Sequence, residues 1–543
     1  MGSSLSSRRR RKGFPFLLTF SALCIAAASG LLVYDLVVFS RREQQLPAGV
    51  TVAGISVGHL SERDAVARWE RAYAEPILML YTDRIGEHPI QLHPDQVGWR
   101  ISSEPMLARA LASAVEGGGF WRRFLDFMLG IELTVPQDIP LVADYQDNAL
   151  EAFLRDVAAR YDDPPGKATF DLETLRVYPG ASGYALDIAS AMTSVDATLR
   201  SADQRSVRLP VSDLGNGRLD LGSLEELIIN YLDNQGFIYD GLSTVASIYI
   251  LDLATGEEIN ILGDVAYSAA STIKVPIIIE YFRRLDREPT AGEAWLIANS
   301  LLCSNNSSSN LLMEIIGGGD IFTGLRSVSN TIQAVGGGNS YITAPFFLGV
   351  EGQALGSITA PATTPNEAFD TEPDPFNQTT AKDLGTIFSL VYDCAHYDSG
   401  LALALPQGQI TQQECRQILE VTSANDLERL LQGGIPPDVR ISHKNGWIFD
   451  TVGDAGVVYS PNGRHYVISV FLWEQTEFQD YEKLWPLVEE ISRAAWNFFN
   501  PERALLQPRT DLPPSAIECE GNYLPPNAEA VDLDDINSWK RNR

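Results

Sequence analysis

The stretch AYSAASTIKVPIIIEYF, Ala266 to Phe282, decides how the rest of the chain is read. In it, Ser271-Thr272-Ile273-Lys274 sets a hydroxyl three residues before an amine, at the head of an apolar run. Helical spacing puts Lys274 one turn beyond Ser271, on the same face. A Ser at a helix N-terminus lies where unpaired N–H groups and the dipole favour a developing anion. Burial among Ile273, Val275 and Ile277 would draw the Lys274 amine toward neutrality and let it accept the Ser271 proton. Alone, the pattern is weak. A chain of 543 residues yields roughly one SxxK by chance, and an N-cap Ser followed by a surface Lys fits the same letters.

Two further polar groups change the balance. Leu302-Cys303-Ser304-Asn305-Asn306-Ser307 places a hydroxyl and two amides just before a helical pattern. Ser304 is a candidate proton relay to a leaving nitrogen, and Asn306 a candidate ligand for Lys274 and a substrate amide. The plain alternative is a polar N-cap loop. Downstream, RISHKNG, Arg440 to Gly446, reads as a strand edge. Lys444 there could attract a substrate carboxylate, and Gly446 would let a substrate backbone pass close to the strand. The plain alternative is a hairpin end.

The surroundings supply a scaffold. Ser247 to Leu253 is rich in β-branched and aromatic residues; Ala254-Thr255-Gly256 turns the chain, and Glu257 to Leu262 reads as the return strand. Val457 to Ser460 and Tyr466 to Trp473 flank the hairpin signal Pro461-Asn462-Gly463. Leu484, Leu487, Val488, Ile491, Ala495 and Phe498 recur at helical spacing. Two strands, a helical middle, three strands and a final helix predict an α+β fold, an antiparallel sheet flanked by helices.

Taken in order between strand pairs, SxxK, SxN and Lys-x-Gly resemble the penicillin-recognising serine hydrolases, and among these the class A β-lactamases. The resemblance covers 218–500. It implies a β-lactamase/transpeptidase-like domain in which Ser271 attacks a lactam or D-alanyl carbonyl. Lys274 would be the base, Ser304 the relay, Asn306 a substrate and lysine ligand, and Lys444 the electrostatic anchor. The oxyanion hole would be the backbone N–H groups of Ser271 and Trp447. No metal or cofactor is implied.

The departures from that family are specific. The usual SDN is Ser304-Asn305-Asn306. The usual KTG is Lys444-Asn445-Gly446, so the Asn445 amide would have to donate to the substrate carboxylate in place of a hydroxyl. The family's deacylating Glu lies shortly before a Thr-Thr helix start, here Thr379-Thr380. Two ways of aligning the loop put Ala362 or Pro365 at its place, neither acidic. Glu367 and Glu372 are the remaining candidates. A missing general base costs on the order of 10²–10⁴ in rate. The expectation is therefore a slow β-lactamase or a D,D-peptidase-like acyl enzyme. The alternative is a cell-wall- or penicillin-binding protein that does not turn over. A glutaminase-type amidohydrolase also uses SxxK, but the Lys-x-Gly strand argues against it.

The N-terminal half carries a repeat. Val97-Gly98-Trp99-Arg100-Ile101-Ser102 is similar to Ser182-Gly183-Tyr184-Ala185-Leu186-Asp187. Each copy lies between two amphipathic helical patterns, Ser61 to Ala74 and Pro105 to Val115 in one, Asn148 to Tyr161 and Ile188 to Leu199 in the other. Two α+β modules are expected within 45–213. The opening of this region, from Leu46-Pro47-Ala48-Gly49 onward, resembles a peptidoglycan-binding domain associated with vancomycin-resistance modules. That implies a stalk with cell-wall glycan as a candidate ligand; a spacer without ligand is the alternative.

Phe16 to Tyr34 contains no charged residue and is long enough to cross a bilayer. Arg8, Arg9, Arg10, Arg11 and Lys12 precede it, so the N-terminus is expected in the cytoplasm and the remainder outside. The expected order is a basic tail at 1–13, a membrane anchor at 14–39, the module region at 45–213, the hydrolase domain at 218–500 and an extended tail at 501–543. The formal net charge of -29 excludes nucleic acid as a partner. The expected ligand is instead a β-lactam or a peptidoglycan stem peptide. Outside the membrane, Cys residues meet an oxidising compartment. Cys394 and Cys415 end one helical pattern and sit inside the next, which suits a bridge across a helical hairpin; two buried thiols are the alternative.

Overall fold

The computed structural model describes residues 16–83, 86–115, 119–131, 134–217, 219–237, 243–285, 287–349, 356–425, 427–514 and 532–536. Two compact units form. One comprises 1–166 and 181–217, the other 167–180 and 218–543.

The first unit begins with α1 (Phe16–Arg42), an apolar helix whose stretch Thr19–Arg42 is long enough to cross a membrane. The expected helical patterns are helices here: Glu62–Ala74, Ser103–Val115, Asp147–Tyr161 and Ile188–Leu199. A further amphipathic helix, α2 (Phe120–Met128), follows Ser103–Val115. Two cores form, one around Val50, Trp69, Tyr73 and Met106, the other around Met79, Tyr81, Leu154 and Val195. The two glycines of the repeat are glycines for different reasons. Gly98 holds a left-handed φ of 71° that L side chains avoid. Gly183 has an ordinary φ, but a Cβ there would stand 2.3 Å from Pro165 N.

The second unit is built on one antiparallel sheet. Its strands are β1 (Thr244–Asp252), β2 (Glu258–Ile261), β3 (Ile441–Trp447), β4 (Thr451–Val458) and β5 (Tyr466–Glu474), in the spatial order β2–β1–β5–β4–β3. Helices cover both faces. α3 (Lys274–Arg284), α4 (Asn306–Ile316), α5 (Ala381–Tyr397) and α6 (Gln412–Ser423) lie on one side, and Leu221–Asn234 and α7 (Tyr481–Phe499) on the other. Alternation along the strands divides the residues between the two cores. Val467, Phe471 and Trp473 of β5 join the first, while Ile468, Val470 and Leu472 join the second. This two-sided burial explains why the strands read as near-continuous apolar runs. The architecture is the α+β antiparallel sheet flanked by helices that the sequence predicts.

Two features tie this unit together. Cys394 of α5 and Cys415 of α6 are joined in a disulfide, with Cα atoms 5.9 Å apart. The hairpin Thr169–Asp171 and Arg176–Tyr178 packs Leu175 and Val177 into the second core. Its turn is held by α7: Asn497 Nδ2 donates to Thr174 O at 2.9 Å, and Arg493 Nη2 to Glu173 O at 3.2 Å.

Candidate active site

Ser271 lies in the turn that leads into α3, and Lys274 is the first residue of that helix. The turn geometry follows from the sequence on either side. Tyr267 and Ser268 pair with Thr379 and Gln378 as a short ladder. Ala270 then takes a left-handed φ of 49°, and its carbonyl accepts from Asn377 Nδ2 at 2.9 Å. The apolar run Val275 to Phe282 buries α3 and fixes it against the core.

Lys274 is fully buried. Its Nζ lies 2.8 Å from Ser271 Oγ, 2.9 Å from Asn306 Oδ1 and 3.3 Å from Ser304 Oγ, and it also bonds the Ser304 carbonyl. Two of these neighbours, the Ser304 carbonyl and Asn306 Oδ1, can only accept. A neutral amine has two protons, one for each. Its lone pair is then left for the Ser271 hydroxyl, the arrangement a general base requires. The Phe346 ring closes the remaining side, 4.9 Å from Nζ.

Ser304 itself has a left-handed φ of 52°. This uncommon backbone geometry turns both its carbonyl and its hydroxyl toward Lys274; strained residues of this kind gather at functional sites. Asn305 caps α4, its Oδ1 accepting from Ser308 N at 2.8 Å. The amide that replaces the family's usual Asp is thus a helix cap. Asn306 and Asn310 stand one turn apart on α4 and strap the next loop down. Asn306 Nδ2 donates to Phe347 O at 3.0 Å and Asn310 Nδ2 to Phe346 O at 2.9 Å.

The opposite wall is β3. A Cβ added at Gly446 would stand 2.6 Å from Ser271 N and 3.0 Å from Thr272 N. The strand backbone therefore abuts the Ser271 amide, and Trp447 follows at the cleft edge, its ring 5.3 Å from that of Trp485. Lys444 and Asn445 are both fully buried. Asn445 Oδ1 accepts from Asn425 Nδ2 at 2.9 Å and from Lys444 Nζ at 3.3 Å. Beside them, His443 Nδ1 bonds the Asp454 carboxylate at 2.9 Å. This polar cluster braces β3 from behind.

Between the walls lies a cleft of about 270 Å³, lined among others by Ser271, Asn306, Phe346, Asp374, Asn377 and Trp447. Three of these, Phe346, Asp374 and Asn377, carry no motif in the sequence. Asn377 Oδ1 is buried with no hydrogen-bond partner among the described residues, a polar atom available to a substrate N–H or a water. Glu367 and Glu372 are exposed and lie outside the cleft lining. Burial raises the Asp450 carboxyl above its usual range, and the nearby Glu372 charge adds to that rise.

Ser271 on the cleft wall, with the buried Lys274 beside it at the head of a helix facing an antiparallel β-strand, defines the class: a serine domain of the SxxK type. Residues 235–292 and 294–499 match the "Beta-lactamase enzyme family", and residues 90–208 match the "Putative peptidoglycan binding domain". The chain is a serine β-lactamase-related protein with a peptidoglycan-binding domain in front of its β-lactamase-family domain. Solved structures similar to it include PBP-A, at 21% identity over 52% of this chain and 97% of that one, with a TM-score of 0.38. A point mutant of PBP-A, described as an acyl-enzyme complex with penicillin G, is 22% identical over the same shares with a TM-score of 0.39. The β-lactamase of Sphaerobacter thermophilus is 17% identical over 53% of this chain and 100% of that one, with a TM-score of 0.38. No curated protein matches the chain.

Proposed function

We propose that this protein is a membrane-anchored, extracytoplasmic serine acyl enzyme acting on β-lactams or on the D-Ala-D-Ala end of peptidoglycan stems. The observation that carries the reading is the Lys274 amine, 2.8 Å from Ser271 Oγ and bonded as well to Ser304 and Asn306. As the Ser271 Oγ–carbon bond forms, the hydroxyl proton passes to Lys274 Nζ. The carbonyl electron pair moves onto oxygen, held by the N–H groups of Ser271 and Trp447. Collapse breaks the carbon–nitrogen bond, and the leaving nitrogen takes the proton from Lys274 through Ser304 Oγ. An acyl-Ser271 ester remains. Lys444, buried on β3, supplies positive charge beneath the substrate carboxylate, and Asn445 orients that lysine.

Release of the ester is slow on this reading, because Glu367 and Glu372 lie outside the cleft lining. α1 is the anchor, with the Arg-rich N-terminus inside, and region 45–213 is a stalk that contacts cell-wall glycan. A second reading, a penicillin-binding protein without turnover, is favoured by the same position of the two glutamates. One experiment separates them. The detergent-solubilised full-length protein is incubated with penicillin and its intact mass followed over time. A Ser271-dependent adduct that decays over minutes to hours supports the enzyme. A permanent adduct supports the binder, and the absence of any adduct overturns both.

A further inference from the structure

The first unit exposes an apolar helix face that the catalytic reading does not use. On α2, Trp121 is 71% exposed, Leu125 56% and Met128 48%, and just beyond the helix Leu129 is 65% and Ile131 55% exposed. Trp121, Leu125 and Met128 follow one another at i, i+4 and i+7, so they form one stripe. The neighbouring stripe, about 100° round the helix, is occupied. Phe120, Phe124 and Phe127 surround the ring of Phe39 at centroid distances of 5.3, 5.4 and 5.5 Å. Arg123 of α2 pairs with Glu43 at 3.0 Å, and Arg42 lies over the Phe127 ring at 5.4 Å.

Phe39 is the key to what covers the open stripe. It sits in the last turn of α1, about 5 Å of helix rise before Arg42, where the apolar span ends. α2 is therefore fixed at the level where α1 leaves its apolar environment. A bilayer interface at that level offers hydrocarbon to Leu125, Met128 and Leu129, a headgroup boundary suited to the Trp121 ring, and phosphates for Arg41, Arg42 and Arg122.

We infer that α2 lies on the outer face of the lipid bilayer beside the exit of α1, with Trp121, Leu125, Met128 and Leu129 seated in the headgroup–acyl boundary. The inference rests on α1 being a membrane anchor. The first unit then meets the membrane at two places rather than one.

The test uses the full-length protein carrying Cys24→Ser, reconstituted in phosphatidylcholine–phosphatidylglycerol vesicles. Leu125→Cys and, as control, Glu62→Cys on the exposed side of helix Glu62–Ala74 are labelled with an environment-sensitive fluorophore. Lipid carrying a nitroxide at the upper acyl chain is expected to quench the label at 125 by about twofold or more and to leave the label at 62 unchanged. In a second variant, Trp121→Glu with Leu125→Glu, a label at Met128→Cys is expected to lose that quenching while the protein stays in the membrane. Equal, weak quenching at 125 and 62 would overturn the inference. So would shielding of the 125 label that grows with protein density and ignores nitroxide lipid, which would assign the stripe to a second copy. Extraction of the protein by alkaline carbonate would mark a different failure, that of the anchor itself.

Discussion

Gly446 and Ser271 are held so close that no side chain fits between them: a Cβ on Gly446 would stand 2.6 Å from the Ser271 amide nitrogen. That amide is one of the two proposed oxyanion donors. Gly446→Ala must push β3 away from it or turn it aside. Losing one such donor costs about 10²–10³ in rate. Stopped-flow acylation with a fluorescent penicillin should fall by that factor, while the thermal unfolding of the variant checks that the sheet is intact.

Asn306 accepts a hydrogen bond from Lys274 through Oδ1 and donates one to the Phe347 carbonyl through Nδ2. Asn306→Asp keeps the shape but places a negative charge beside the amine, which favours the ammonium form and removes the base. Acylation should slow by about 10²–10⁴, read as the rate of adduct formation by mass. Asn310→Ala removes the neighbouring strap alone. It should alter affinity for penicillin more than the limiting acylation rate.

The exposed positions of Glu367 and Glu372 lead to a comparison of lifetimes. Glu367→Gln and Glu372→Gln should each leave the decay of the acyl adduct unchanged. Asp374→Asn, inside the cleft, is the variant expected to lengthen it. A lifetime extended by either glutamine variant would place the deacylating base in the outer loop instead.

The Cys394–Cys415 bridge closes a loop with a sequence separation of 21. Chain-entropy reasoning assigns such a cross-link about 3 kcal/mol. The double variant Cys394→Ala, Cys415→Ala should lower the urea midpoint of the C-terminal transition accordingly. Cys24→Ser, in α1, should leave it in place.

Acid stability has an identifiable contributor. The Arg287 guanidinium holds the Glu293 carboxyl down at about 2, against an ordinary value of 4.5. Because the folded-state value is depressed, this contribution is complete above pH 4.5 and is lost as pH falls toward 2. Glu293→Gln should lower stability at pH 7 and flatten the acid-unfolding curve over that window.

The residues legible in the sequence are those fixed by short periodicities. Helical spacing ties Ser271 to Lys274, and strand alternation sorts Ile468 from Phe471. Ser304 and Asn306 needed the order of three motifs to be read together. Phe346 and Asp374 could not be read, because they lie in irregular stretches with no period to place them, nor Asn377, because the strand it opens, Asn377–Thr379, is too short to show one. The bracing of Asn445 by Asn425 depends on a loop folding back 20 residues, and no local pattern encodes that. The Gly98–Gly183 similarity pointed to duplication, yet one glycine answers to a backbone angle and the other to the nearness of Pro165.

The hairpin at 167–180 has a consequence for how this chain is made and cut. Its partners on α7, Arg493 and Asn497, come 319 to 323 residues later. The polypeptide crosses between the two units three times, so the second unit is not one continuous piece of sequence. A fragment starting at 218 lacks this piece of its own core, leaving the Asn497 amide and the helix Leu221–Asn234 without the cover that the hairpin provides. An emerging chain therefore carries an early segment that waits for the last helix, and exchanging this domain between proteins requires two cuts and a splice rather than one boundary.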